Sequence, residues 1–199
     1  EAGAAEAVVH RRLAEPSGRV RITASVPTAQ FQLADRLPVL ARLYPKLRIE
    51  LHVTDRFIDL VQDGFDLAVR SHFAPLPDSD LVQRRMSEEQ ITLVAAPAYI
   101  ARRGEPATPE ALGEHDALMT NGTIKLWRLS EAAGRTVEVA PQPQFHADES
   151  VVLMRAAEAG LGIVCLPETI SAQAVREGRL GRVVPAWIAG SVMTSVLTP

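Results

Sequence analysis

The chain has 199 residues, 47% of them hydrophobic and 23% charged, with a formal net charge of -3; this length suits one large or two small domains with real cores. A polyanion-binding surface is excluded by composition, because the only basic clusters are the pairs Arg11-Arg12, Arg84-Arg85 and Arg102-Arg103, and such pairs more often solvate a face than grip phosphates. The one cysteine, Cys165, excludes an internal disulfide, and no apolar run approaches the roughly 18 residues of a membrane span. With no basic-then-apolar signal segment, the chain reads as cytoplasmic, although it begins at Glu1 rather than at a methionine, as a fragment would.

Residues 1 to 15 are rich in Ala, Glu and Arg and carry Ala5, Val8, Val9, Arg12 and Leu13 at helical spacing, which predicts a helix tail broken by Pro16-Ser17-Gly18. Val20, Ile22 and Ala24 then alternate with Arg19, Arg21 and Thr23, the period of a strand. Ser25-Val26-Pro27-Thr28 turns into a helix with Leu33, Leu37, Leu40 and Tyr44 on its apolar face, kinked or restarted by Pro38 and ended by Pro45. Leu47, Ile49, Leu51 and Val53 give a second strand, and so short a strand-helix-strand path predicts a right-handed parallel crossover. Thr54-Asp55 is placed to cap a short helix with Phe57, Ile58, Leu60 and Val61 that stops at Gly64. A third strand is expected over residues 65–70, a loop carrying His72 and Phe73 over 71–80, and two further strands over 81–86 and 90–95.

Beyond Pro97 the pattern predicts a helical turn over residues 99–103, a helix opened by Thr108-Pro109-Glu110 with proline at its first position, and short strands over 117–120, 125–129 and 136–140. The stretch from Phe145 to Pro167 organises this half. An extended segment reaches Asp148, an Ala-rich helix follows, Gly160 is its left-handed terminus, and residues 162–166 form a buried strand, a β-α-β unit of a parallel sheet. Asp148 is the expected cap and Glu149 favours the positive end of the dipole. Cys165 falls inside the buried strand and reads as a core thiol. A helix over 169–177 capped by Gly178, a strand over 180–184 and a last strand over 191–197 complete the pattern.

These residues carry a resemblance. The run Tyr44-Pro45-Lys46-Leu47-Arg48-Ile49-Glu50-Leu51, then Asp59-Leu60-Val61, Gly64-Phe65-Asp66-Leu67-Ala68-Val69-Arg70, Leu93-Val94-Ala95-Ala96-Pro97, Ala159-Gly160-Leu161-Gly162-Ile163 and Gly178-Arg179-Leu180 resembles the effector-binding domain of LysR-type transcriptional regulators, from Arg19 to Pro199. The resemblance implies an α/β fold of two Rossmann-like subdomains joined by two crossing strands, like a type 2 periplasmic binding protein. Residues 1–18 would be the end of a linker helix and a hinge, 19–92 with 191–199 the first lobe, and 93–190 the second. It further implies a small-molecule effector between the lobes and pairing as a homodimer or tetramer, the Phe31 to Leu43 helix of one chain antiparallel to the Val151 to Ala159 helix of another. DNA would be reached only through an N-terminal winged helix-turn-helix, so this stretch alone is expected not to recognise an operator. The family's final helix is not among the residues before Pro199.

Candidate ligand-binding residues lie at the corners where strands end and helices begin. On one side these are Ser25, Val26, Pro27 and Thr28, whose hydroxyls and N–H groups suit a carboxylate, with Thr54, Asp55, Ser71, His72 and Phe73. On the other they are Thr120, Asn121, His146, Asp148 and Pro167. Arg70 is a candidate partner for an anion or for Asp55 or Asp66. Each capping residue has an equally good structural role, since a cap contributes about 1 kcal/mol without any ligand.

No cofactor or metal is expected: Gly160-Leu161-Gly162 enters a strand rather than opening a helix, and the histidines and Cys165 lack ligand spacing. Ser25, His146 and Asp148 supply hydrolase residue types but no G-x-S-x-G elbow. The reading is an effector-sensing regulatory domain that is not an enzyme, with a carboxylate as the candidate effector class and no membrane partner. A transporter's solute-binding protein is the alternative, and a small hydrolase the weaker one.

Overall fold

The chain divides into two compact units, one of Glu1–Arg70, Asp78–Arg84 and Val196–Pro199, the other of Ser71–Pro77 and Arg85–Ser195. The computed structural model describes residues 15–56, 58–74, 76, 80–120 and 126–199. Of the terminal helix expected over residues 1–15, residues 1–14, together with Phe57, Asn121 and Lys125, lie outside the described residues.

In the first unit the alternating segment forms β1 (Gly18–Ala24). Ile22 and Ala24 are buried on one face and Thr23 on the other, as expected of an inner strand of a parallel sheet. Strands β2 (Leu47–Val53) and β3 (Leu67–His72) flank it in parallel, with Ile22 opposite Leu51 and Leu67, and Ala24 opposite Val53 and Val69. The expected parallel crossover is formed.

The connecting helix is broken in an informative way. A single turn, α1 (Val26–Thr28), runs into a wide π-type turn over Ala29–Leu33, closed by the Ala34 N–H on the Ala29 carbonyl at 2.9 Å, before α2 (Arg36–Leu43) begins. Pro38 has no N–H to offer Ala34, so the helix restarts just upstream, which puts the proline in a first turn where N–H groups have no intrahelical acceptor. Leu33 and Leu37 pack on Ile22, Ala24, Ala29 and Val69 to form one small core; Leu60, Phe65 and Ala68 form another.

Three expectations fail here. Residues 60–64 form turns rather than the helix expected after Thr54-Asp55. Neither of those residues caps it: Asp59 accepts the Val61 and Gln62 N–H groups, each at 3.0 Å, while Asp55 accepts the Val26 N–H. So short a segment, closed by Gly64 at φ 68, cannot repay helix nucleation. The strands expected over 81–86 and 90–95 are one continuous strand, β4 (Val82–Ala95), which runs through Ser87-Glu88-Glu89. His72 also falls at the end of β3 rather than in a loop.

The second unit continues through α3 (Pro97–Arg103), a 3-10 turn over Glu110–Glu114, β5 (Asp116–Met119), β6 (Trp127–Glu131), β7 (Thr136–Val139) and β8 (Gln142–His146). It then forms α4 (Ser150–Glu158), β9 (Ile163–Pro167) and α5 (Glu168–Arg176). After α5 the short strand β10 (Gly181–Arg182) stands where a longer one over 180–184 was expected, followed by β11 (Trp187–Ile188) and β12 (Ser191–Thr198). Strand β9 pairs antiparallel with β4 and parallel with β5, and β5 is parallel to β8 with a register shift after Ala117. The β8-α4-β9 path is thus the expected β-α-β unit with β5 between its strands, and β6, β7 and β11 form a separate antiparallel sheet. The core gathers Leu93, Tyr99, Leu112, Met119, Trp127, Leu129 and Ile163.

Helix α4 ends as expected and starts differently. The Gly160 N–H bonds the Ala157 carbonyl and the Leu161 N–H bonds the Ala156 carbonyl, with Gly160 at φ 78, a complete Schellman motif. At the other end Glu149, not Asp148, is the cap: its carboxylate accepts the Val151 N–H at 3.2 Å, and Asp148 is exposed. Helix α5 repeats the terminal motif, with Gly178 bonding Val175 and Arg179 bonding Ala174.

Two close contacts generate predictions. A Cβ on Gly162 would stand 2.5 Å from the Asp116 carbonyl oxygen, backbone against backbone. Gly162→Ala is therefore expected to destabilise the fold by about 1–3 kcal/mol, read as a lower midpoint in chemical denaturation. Next to it, the Asp116 N–H donates to Tyr99 Oη at 2.9 Å, and Oη is hydrogen-bonded to His115 Nδ1 at 3.1 Å. Burial, reinforced by Arg103, pushes His115 down from its ordinary 6.5. A lowered histidine pKa means that the unfolded chain takes up the proton first, so this contribution is complete above about pH 6.5 and is lost as pH falls below it. Unfolding free energy is expected to drop between about pH 7.5 and about pH 5.5, and less steeply in His115→Gln.

Candidate functional site

The second unit holds a cavity of about 280 Å³, near the lower end of the range for small-molecule sites. It opens where parallel strands finish, the place at which open α/β sheets bind ligands. From the end of β5 come Leu118, Met119 and Thr120; from β9, Cys165 and Pro167; from β6 and the residue before it, Leu126, Trp127 and Arg128. Ile91, Ala189 and Ser150, the first residue of α4, complete the wall, and Phe73 lies at its edge with 75% of its surface exposed.

The electrostatics of this wall are quiet. Arg128 is its only formally charged side chain among the described residues, and its Nε and Nη2 both donate to Glu138 Oε1, at 3.0 and 2.7 Å. Burial pushes the Cys165 thiol up, which keeps it protonated and apolar in character rather than nucleophilic. The remaining polar groups are the Thr120 and Ser150 hydroxyls and backbone.

The first unit presents a polar corner at the ends of β1 and β2. Ser25 Oγ and Thr28 Oγ1 are 2.7 Å apart, and Thr28 is 1% exposed, so the more accessible hydroxyl is that of Ser25. Pro27 lies in the first turn of α1. The Val26 N–H, which was expected to be available to a carboxylate, donates to Asp55 Oδ1 at 3.0 Å. Thr54 accepts the Arg56 N–H on its side chain and Arg70 Nη1 on its carbonyl, the latter at 2.6 Å, and Arg70 Nη2 donates to Thr23 Oγ1 at 3.0 Å. Burial lowers the Arg70 pKa and Asp55 opposes that shift.

The sequence-based candidates thus separate. Ser25, Val26, Pro27, Thr28, Thr54 and Asp55 form one corner, and Phe73, Thr120 and Pro167 line the cavity. Ser71 Oγ lies 3.0 Å from Thr194 Oγ1, and His72 Nε2 lies 3.0 Å from Ser195 Oγ while Nδ1 meets the Ala74 carbonyl. His146 and Asp148 are exposed and not among the lining residues, and Asn121 lies outside the described residues. Sequence reasoning passed over Met119, Leu126, Trp127, Cys165 and Ala189 as sites. The usable signal was positional for Met119, Leu126 and Cys165, which sit beside the ends of predicted strands, whereas Trp127 falls in the middle of one.

No group of three or more His, Cys, Asp or Glu side chains able to hold a metal ion occurs among the described residues. No described helix is long and apolar enough to cross a membrane.

A family profile described as the LysR substrate binding domain matches residues 13–199. A putative transcriptional regulator of Pseudomonas aeruginosa is 34% identical over 178 residues, covering 87% of this chain and 57% of the relative. An uncharacterized HTH-type transcriptional regulator of Haemophilus influenzae is 31% identical over 156 residues, covering 78% of this chain and 54% of the relative. The chain therefore spans little more than half the length of these relatives. Among solved structures, the regulatory domain of AphB from Vibrio vulnificus is similar with a TM-score of 0.75 at 25% identity, covering 93% of this chain and 90% of that one. Full-length AphB of Vibrio cholerae, a virulence activator of the LysR family, matches with a TM-score of 0.78 at 26% identity over 96% of this chain and 67% of that one. The profile match over nearly the whole length settles the question: the chain belongs to the LysR substrate-binding domains of transcriptional regulators, with their type 2 periplasmic-binding-protein-like fold.

Proposed function

We propose that the chain is the effector-sensing part of a cytoplasmic LysR-type regulator, and that a small metabolite biases its conformation and so the DNA-binding state of the whole protein. The observation that carries this reading is the joint presence of the family match and a cavity at the strand ends of the second unit. A ligand acts in such a system only through unequal affinity for two states. Phe73, Thr120 and Pro167 are proposed as contacts in the cavity of the second unit, and Ser25 as an accessible hydroxyl of the first unit's own corner.

This reading leaves the chain without catalytic chemistry. The partner of Ser25 Oγ is Thr28, not an imidazole that could take its proton, so nothing activates it as a nucleophile. DNA would be bound through a helix-turn-helix module of the whole regulator, consistent with the HTH-type relatives.

Self-association is part of the same proposal. Helix α2 leaves Val39 and Leu43 exposed, at 44% and 66%, and α4 leaves Val152 exposed at 45%. Pairing the α2 face of one chain against the α4 face of another would cover both.

Two measurements test these points. In a thermal-shift screen of metabolites, a stabilising compound is expected to bind about three- to tenfold more weakly to Thr120→Val, the loss of one hydrogen bond; equal affinity removes Thr120 from the site. Light scattering coupled to size exclusion is expected to report a dimer that Leu43→Glu converts to monomer. A wild type that is monomeric at high concentration rejects the pairing.

A further inference from the structure

The lining of the cavity in the second unit specifies more than a small molecule. Its most buried aromatic wall is Trp127, 6% exposed, and an aromatic ring, Phe73, stands 75% exposed at its edge. Two sulfur-bearing residues, Met119 and Cys165, belong to the same lining. Aromatic faces and polarizable sulfur both interact best with another ring, through offset or edge contacts and sulfur-aromatic contacts. An exposed phenylalanine beside an apolar cavity is also surface that a ring can take out of water.

Charge points the same way. Among the described residues the only ionised group on the wall, Arg128, is held by two hydrogen bonds to Glu138, so a carboxylate buried against them would meet no unengaged cation, and burying an unpaired charge is costly. Thr120 and Ser150 remain, able to meet a hydroxyl or carbonyl. The volume of about 280 Å³ limits the occupant to a compact body of one ring or two fused rings.

We infer that the cavity takes a compact aromatic ring, uncharged where it is buried and bearing at most a hydroxyl or carbonyl toward Thr120 and Ser150. This rests on the effector-sensing reading and names the class of compound that reading leaves open. Trp127 and Phe73 supply its aromatic lining, and Ala189 is a small lining residue at which a larger side chain would take up the space.

The test uses indole and benzaldehyde as neutral ring probes and succinate and glutarate as acyclic acids, with dissociation constants from titration followed by NMR. Two variants accompany the wild type. Ala189→Leu fills the cavity; Phe73→Ala removes a ring so exposed that folding does not depend on it. Ring probes are expected to bind the wild type, about fivefold more weakly to Phe73→Ala, and not detectably to Ala189→Leu. Ring binding that is equal in all three proteins overturns the inference, because the rings then sit elsewhere. Acids that bind while rings do not, with that binding lost in Ala189→Leu, overturn the aromatic class and leave the effector-sensing reading standing. If neither kind of compound binds the wild type, and a wider metabolite screen also finds none, both fall.

Discussion

The close approach of Gly162 to the Asp116 backbone is the constraint on which the second unit depends. Strand β9 reaches β5 directly after a helix terminus, and only a residue without a Cβ lets the incoming backbone lie against the Asp116 carbonyl. Once that contact is made, Ala117 falls opposite Ile163 and Leu118 opposite Val164. The same register carries Met119 and Thr120 to the strand ends where Cys165 and Pro167 also finish, so a single backbone contact positions the cavity wall. The Tyr99 hydroxyl holds the neighbouring peptide by accepting the Asp116 N–H, and a buried neutral His115 completes that arrangement.

The first unit is organised by polar closure rather than by a hollow. Its corner residues satisfy one another: Ser25 with Thr28, Val26 with Asp55, and Arg70 with Thr54 and Thr23. Such a network rigidifies the end of a sheet because every member would be costly to leave unpaired in a partly buried setting. The second unit contrasts with it, offering apolar surface and few polar groups. A ligand-sensing domain gains from having one rigid frame and one receptive surface.

Much of this was legible in the residues. Period-two alternation located β1 and β2, the proline at position 38 announced the broken helix, and Gly160 and Gly178 marked two helix ends by the conformation each adopts. What stayed hidden depended on partners distant in sequence. Asp55 looks like a cap for the segment after it, yet its carboxylate serves a helix that begins 29 residues earlier. Glu149 is the cap because it directly precedes the helix, where its carboxylate meets the Val151 N–H two residues on, and Ser87-Glu88-Glu89, left between two predicted strands, runs inside a continuous one. The cavity was half visible: Thr120 and Pro167 stand at predicted strand ends. Trp127 and Met119 looked like ordinary core residues, since nothing local distinguishes a side chain packed on other atoms from one facing a hollow.

The carboxylate of Asp55 resting on the Val26 N–H has an evolutionary corollary. A protein that furnishes its own anion at a helix start has locked that position against foreign ones, and the lock is a single side chain. A change of Asp55 to alanine needs one nucleotide, and it would both bare the N–H and lift the local negative field. That N–H is served from within the fold, by a residue 29 positions further along the chain.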